Sequence, residues 1–327
     1  DDPQGPYVDA IGGPLAKGFS FIDPTVFIDD DGRAYLFWGN KGLWYGELND
    51  DMISFKNGYK EVPGFHDAAS FGPKMMKMNW GKGKEELMVG FEEGPWISKR
   101  GDLYYLTYPS GGVPEHMAYS TAPTVDGPWT YRGRIMDEAV NSFTIHGGEI
   151  EYKGHNYMFY HNGKLPNGAG FHRSAAVEEF KYNPDGSIPF IPFTDRGPAP
   201  VGTLNPYQRV EAETMAHSWG VKTDRLAGKD HYVRLIHNGD WIRIREVDFG
   251  QDGPDAIELH ILNFRTSGVV EFYIDSLGGN PFAAFDVKAE GTMKTAVARP
   301  VAGRHDVYIL FRGGDEQFFD FDWWQVK

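Results

Sequence analysis

The chain has no cysteine, which excludes disulfide staples and thiolate metal sites. It does not exclude export, since bacterial exported proteins often lack disulfides. No apolar run approaches the roughly 18 to 20 residues that span a bilayer, and the N-terminus, Asp1-Asp2-Pro3-Gln4-Gly5-Pro6-Tyr7, is no signal peptide. An exported protein whose signal has been removed, secreted or held at a bacterial surface, is the expectation. Basic charge is also short: 32 Lys and Arg face 46 Asp and Glu, a net charge of −14. Nucleic acid needs a basic footprint, so it is excluded as a partner. Long helical patterns are few.

Glycine, proline and aromatics are plentiful instead: 41 Gly, 21 Pro and 15% Phe, Trp and Tyr in 327 residues. That composition predicts an all-β, turn-rich protein long enough for two domains. A repeated unit gives the first of them its form. Asp23 in Ile22-Asp23-Pro24-Thr25-Val26-Phe27 is followed by the polar turn Asp29-Asp30-Asp31-Gly32 and the strand Ala34-Tyr35-Leu36-Phe37-Trp38. Glu93 in Phe91-Glu92-Glu93-Gly94-Pro95-Trp96 is followed by Lys99-Arg100-Gly101-Asp102 and Leu103-Tyr104-Tyr105-Leu106-Thr107-Tyr108. A third copy opens on Ile145-His146-Gly147-Gly148-Glu149, with the turn Lys153-Gly154 and the strand Tyr157-Met158-Phe159-Tyr160.

Three hairpins of one design read as blades of a β-propeller. The turn acids and glycines are hairpin chemistry, not a calcium loop. Two acids at the same point of two copies face a common centre, as acid-base hydrolysis of a glycosidic bond requires. Residues 1–7 resemble the outer-strand tail at Ser120-Thr121-Ala122-Pro123 with no blade before it. The first blade is therefore expected to be absent from this chain, leaving open edges that favour self-association. The boundaries are 1–198 for the propeller, 199–206 for a Pro-rich linker, and 207–327 for a β-sandwich built of short alternating strands such as Trp241-Ile242-Arg243-Ile244-Arg245.

The motifs Ile22-Asp23-Pro24-Thr25-Val26-Phe27, Glu93-Gly94-Pro95-Trp96 and Phe171-His172-Arg173-Ser174, in this order, resemble glycoside hydrolase family 43. The likeness is to its arabinoxylan arabinofuranohydrolase, xylanase and β-xylosidase branch. Residues 207–327 resemble a carbohydrate-binding module of family 6, through Val210-Glu211-Ala212-Glu213, Asn238-Gly239-Asp240-Trp241 and Phe321-Asp322-Trp323-Trp324. The resemblance implies a five-bladed propeller followed by a jelly-roll sandwich. It implies inverting hydrolysis of arabinoxylan or xylan, with oligosaccharides of these as ligands.

In that reading Glu93 is the general acid, Glu92 being its rival by sequence alone. Asp23 positions Glu93 and tunes its pKa, unless it is a turn acid beside proline. The general base belongs to the absent blade. Arg173 binds sugar hydroxyls or is an exposed strand arginine. His146 contacts a central water or calcium, or is packed structurally. Trp38, Phe91 and Trp96 offer stacking faces or fill the blade core. In the sandwich, Glu211, Glu213 and Asp322 resemble ligands of a structural calcium. Leu235 and the run Gly291-Thr292-Met293-Lys294 stand where the module's usual sugar-clamping aromatics would be, so weak or no binding is expected at that cleft. A carbohydrate-binding protein without turnover on a degenerate propeller is the alternative, and a structural scaffold the third reading.

Overall fold

The computed structural model describes residues 7–76, 86–165, 167–226 and 230–327. Residues 1–6, read above as most of an outer-strand tail, lie outside them. The fold is all-β, and the described chain contains one short helix, α1 (Ala68–Phe71). Two compact units divide it, Gly5–Ala199 and Pro200–Lys327.

The first unit is a succession of meandering sheets. Strands β1 (Thr25–Ile28), β2 (Ala34–Trp38), β3 (Trp44–Glu47) and β4 (Lys60–Glu61) form one, in chain order. β5 (Pro73–Met76) and β6 (Glu86–Val89) form a two-stranded sheet. β7 (Trp96–Arg100), β8 (Leu103–Ser110), β9 (His116–Ala122) and β10 (Thr130–Met136) form a second four-stranded sheet, and β11 (Gly147–Tyr152), β12 (His155–Asn162) and β13 (Ser174–Phe180) a three-stranded one. All pairs are antiparallel, as short polar turns between consecutive strands require.

The period-2 alternation of β8 shows how neighbouring sheets share a core. Tyr104, Leu106 and Tyr108 join Phe37, Tyr45 and Phe91 on one side, whereas Tyr105 joins Met117, Met158 and Tyr160 on the other. One buried acid stitches each of these seams. Asp29, in the β1–β2 turn, accepts from Lys99 Nζ at 2.7 Å and Tyr104 OH at 2.5 Å. Glu149 of β11 accepts from Ser98 Oγ at 2.5 Å and Thr107 Oγ1 at 2.8 Å. The acid-rich turn thus serves the fold, as its hairpin chemistry predicts: Gly32 N closes it onto Asp29 O at 2.9 Å.

The second unit holds β14 (Val210–Glu211), β15 (His217–Trp219), β16 (Lys222–Arg225), β17 (His231–Arg234), β18 (Trp241–Asp248), β19 (Ala256–Leu262), β20 (Gly268–Ile274), β21 (Ala283–Val287), β22 (Gly291–Ala296), β23 (Arg304–Gly313) and β24 (Asp320–Val326). Two sheets result, β16-β17-β24-β19-β22 with β14 on β24, and β15-β18-β23-β20-β21. Alternate residues such as Ile242 and Ile244 turn inward, and Phe249, Phe272, Phe311, Phe321 and Trp324 fill the core.

Candidate active site

Three of the four sheets of the first unit present a polar side chain just before their first strand. Asp23 stands two residues before β1, Glu93 three before β7 and His146 one before β11. Repetition therefore brings together residues far apart in sequence. One ligand atom from each of the three lies within 4.8 Å of the other two. Arg173, one residue before β13, lines the same cavity of about 640 Å³, with Asp23, His146 and His161.

Local conformation makes the convergence possible. Asp23 adopts a left-handed backbone (φ 55°), which Asp tolerates better than most residues. Gly94 is also left-handed (φ 53°), and a Cβ there would lie 2.8 Å from His146 Nδ1. Only glycine lets the imidazole lie against this turn. Gly148 does the same for Trp96, whose ring atoms would stand 2.6 Å from a Cβ. The Trp96 indole N–H donates to Glu149 O at 3.0 Å, and its ring lines the cavity.

His146 Nε2 lies 2.7 Å from Glu93 Oε1, and Asn40 donates to the other Glu93 oxygen. These contacts set the electrostatics. Hydrogen bonding to His146 holds the Glu93 carboxyl below its ordinary range, against the opposing pull of burial. Burial pushes Asp23 up, and the neighbouring Glu93 charge adds to it, while His146 and Arg173 pull it down. One Asp23 oxygen is buried without a hydrogen-bond partner. His146 is raised: its contact with Glu93 outweighs the burial that opposes protonation. The surroundings thus pull the two carboxyls apart, Glu93 downward and Asp23 upward.

Buried behind them, Glu115 is pushed up to about 7 by burial and by Glu93. Burial, with the charges of Arg173 and His146, lowers His161 to about 4, so it is neutral at ordinary pH.

The model of glycosyl hydrolases family 43 matches residues 1–188, more than half the chain. The chain belongs to this family. An arabinoxylan arabinofuranohydrolase of Bacillus subtilis (strain 168) is 30% identical over 99% of this chain and 68% of its own length. One from Paenibacillus polymyxa is 28% identical, over 99% of this chain and 55% of its own length. A solved structure of a family 43 arabinoxylan arabinofuranohydrolase from Bacillus subtilis, in complex with cellotetraose, superposes with a TM-score of 0.79 at 26% identity; it covers 100% of this chain and 72% of that one. The carbohydrate binding module (family 6) matches residues 211–327.

Within the family 43 unit, Glu93 and not Glu92 brings its carboxylate to Asp23 and His146. Trp38 and Phe91 need correction as stacking candidates. They are 3% and 2% exposed, Trp38 packed by Phe21, Phe55 and Tyr59, Phe91 by Phe65 and Tyr108. Both are packed among other aromatics in the interior, so neither offers a face to a sugar. Trp96, 37% exposed, does.

Glu211, Glu213 and Asp322 are not gathered as closely as the family 43 acids. Among the described residues the one tight group of three metal-type donors is Asp23, Glu93 and His146. Glu211 pairs with Arg209 Nε at 2.8 Å, and Asp322 with His260 Nδ1 at 2.8 Å. Yet one oxygen of Glu213 and one of Asp322 are buried without a hydrogen-bond partner, the latter 3.6 Å from Arg209 Nη2. Such orphaned oxygens suit a hard, oxygen-seeking cation.

Three residues at the site escaped sequence reasoning: Asn40, Glu115 and His161. Asn40 follows the end of β2, and only a fold shows that it reaches a glutamate 53 positions away. Glu115 and His161 lie in strand-like aromatic contexts that carry no motif.

Proposed function

We propose that this protein cleaves pentosyl linkages of arabinoxylan or xylan, removing α-L-arabinofuranosyl branches or cutting β-1,4-xylosyl bonds with inversion. The observation that carries this reading is the meeting of Glu93 with Asp23 and His146, which line one cavity with Arg173, in a chain whose relatives include arabinoxylan arabinofuranohydrolases. Glu93 protonates the leaving oxygen. Asp23 is too close to serve as its opposite number, because an inverting pair needs about 6.5–9.5 Å for the intervening water. It acts instead as a like charge that favours the protonated form of Glu93. Arg173 binds sugar hydroxyls. Among the described residues, no carboxylate is proposed for water activation.

The site also suits a divalent cation. Asp23 and His146 would hold it, and its charge would offset that of the buried Asp23 carboxyl. In the sandwich, Glu211, Glu213 and Asp322 would hold a structural calcium, whose positive charge would satisfy the orphaned oxygens. The products are extracellular polymer fragments, which fits an exported protein. Among the described residues, no helix is long and apolar enough to cross a membrane.

Pentose release from arabinoxylan, compared between the chain and Glu93→Ala, tests the acid. Aryl α-L-arabinofuranoside or β-D-xyloside turnover in added azide tests the base. Azide needs no deprotonation, so a glycosyl azide of inverted configuration is expected where hydrolysis is weak. Strong hydrolysis without azide would place the base within the chain. One observation favours a second reading, binding without turnover: Glu93 is held ionised at rest. Oligosaccharide binding with neither hydrolysis nor azide transfer would establish it.

A further inference from the structure

The sheet ladder of β11 begins at Gly147, so the backbone carrying His146 is still outside it. Side chains take up its amides instead. Ile145 N donates to Glu115 Oε2 at 3.2 Å, and His146 N donates to His161 Nδ1 at 3.3 Å. The other ring nitrogen of His161, Nε2, lies 3.0 Å from Thr144 O and 3.2 Å from Thr144 Oγ1. A carbonyl oxygen only accepts, so Nε2 carries the hydrogen. Nδ1 faces an amide N–H, so it presents its lone pair. A single tautomer meets both demands. The backbone that carries the ring is itself anchored, since His161 pairs with Ala175 in the β12–β13 ladder.

We propose that His161 is a positioning residue, clipping Thr144 to His146 as its Nε2–H tautomer and so fixing where His146 meets Glu93. The margin at that meeting is narrow on both sides. His146 Nε2 already stands 2.7 Å from Glu93 Oε1, and its ring lies against Gly94 at a distance that leaves no room for a Cβ. Movement one way opens the hydrogen bond, and movement the other way drives the ring into the turn that carries Glu93. Glu115 holds the adjoining amide and, through its own N–H, Phe143 O at 3.1 Å. His161 is the partner that reaches His146 directly. A side-chain amide could reproduce the clip, its oxygen accepting from His146 N–H and its nitrogen donating to Thr144 O. Leucine could do neither.

This role presupposes Glu93 as the acid, and the two are separable by experiment. Loss of turnover in Glu93→Ala tests the acid alone. The imidazole nitrogen signals of His161, read by NMR on the whole chain, test the clip alone and require no turnover. They should show a hydrogen on Nε2 and none on Nδ1. His161→Leu should then lower kcat, for hydrolysis or azide transfer, by between about 10- and 100-fold. KM and the thermal midpoint should change little, and His161→Gln should recover most of the loss. In a His146→Ala background, His161→Leu should have almost no further effect, because both changes remove one interaction. The Nδ1–H tautomer, an additive loss in the double variant, or a Gln variant no better than Leu would each overturn the assignment.

Discussion

In the sandwich, acids find cations of their own. Asp306 binds Arg243, Asp320 binds Arg265 at 3.0 Å, and Asp224 binds Arg234. In the family 43 unit, Asp23 and Glu93 crowd one imidazole and one guanidinium, and an Asp23 oxygen stays buried and unpartnered. Buried charge without full compensation costs stability, so a fold retains it where something else requires it. The sandwich breaks its own pattern at Glu213, beside which calcium is proposed.

The contrast is open to attack. The largest expected effect belongs to Asp23→Asn, which should cut turnover by about 100-fold or more. The thermal midpoint should hold or rise, because an ill-compensated charge is removed. A midpoint that falls sharply would make Asp23 a structural acid and erase the difference between the units. Trp324→Ala should do the reverse in the sandwich. Trp324 is fully buried, and denaturant unfolding should show a loss of about 3–5 kcal/mol, with kcat per folded molecule unchanged.

His146→Ala sharpens the comparison through pH. The hydrogen bond from His146 is the main cause of Glu93's lowered pKa, so its removal lets that pKa rise. The alkaline limb of the rate profile, where the acid loses its proton, should move to higher pH. A limb that stays or moves down would exclude Glu93 as the group it reports.

The smallest effects lie at the two stitched seams. Asp29 is lowered: burial opposes this, but bonds from Lys99 and Tyr104 prevail. Its contribution is present above the ordinary aspartate range and lost as pH falls through its folded value. Glu149 is raised by burial, which outweighs bonds from two hydroxyls and a backbone amide. Its contribution is full below the ordinary glutamate range and lost as pH rises through the folded value. Stability measured against pH should therefore flatten on the acid side in Asp29→Asn and on the alkaline side in Glu149→Gln.

Much of this was legible beforehand, for a local reason. A strand entry, a turn and an aromatic strand are written in consecutive residues. The equivalence of Asp23, Glu93 and His146 could be read from the repeat, and the inward alternation of Ile242 and Ile244 from their spacing. Trp38 and Phe91 were not legible in the same way. An aromatic at an alternate position looks the same whether its face meets another sheet or open cavity.

By itself, then, the sequence determined the turn-rich β architecture, the two units and the repeated point at which each polar group enters. The tertiary structure alone decided that Asn40 reaches Glu93 and His161 reaches His146, that Trp96 and not Trp38 meets the cavity, and that the Glu93 pKa is lowered while that of Asp23 is raised. Those outcomes depend on distances and burial between residues tens of positions apart, and spacing along the chain does not encode such distances.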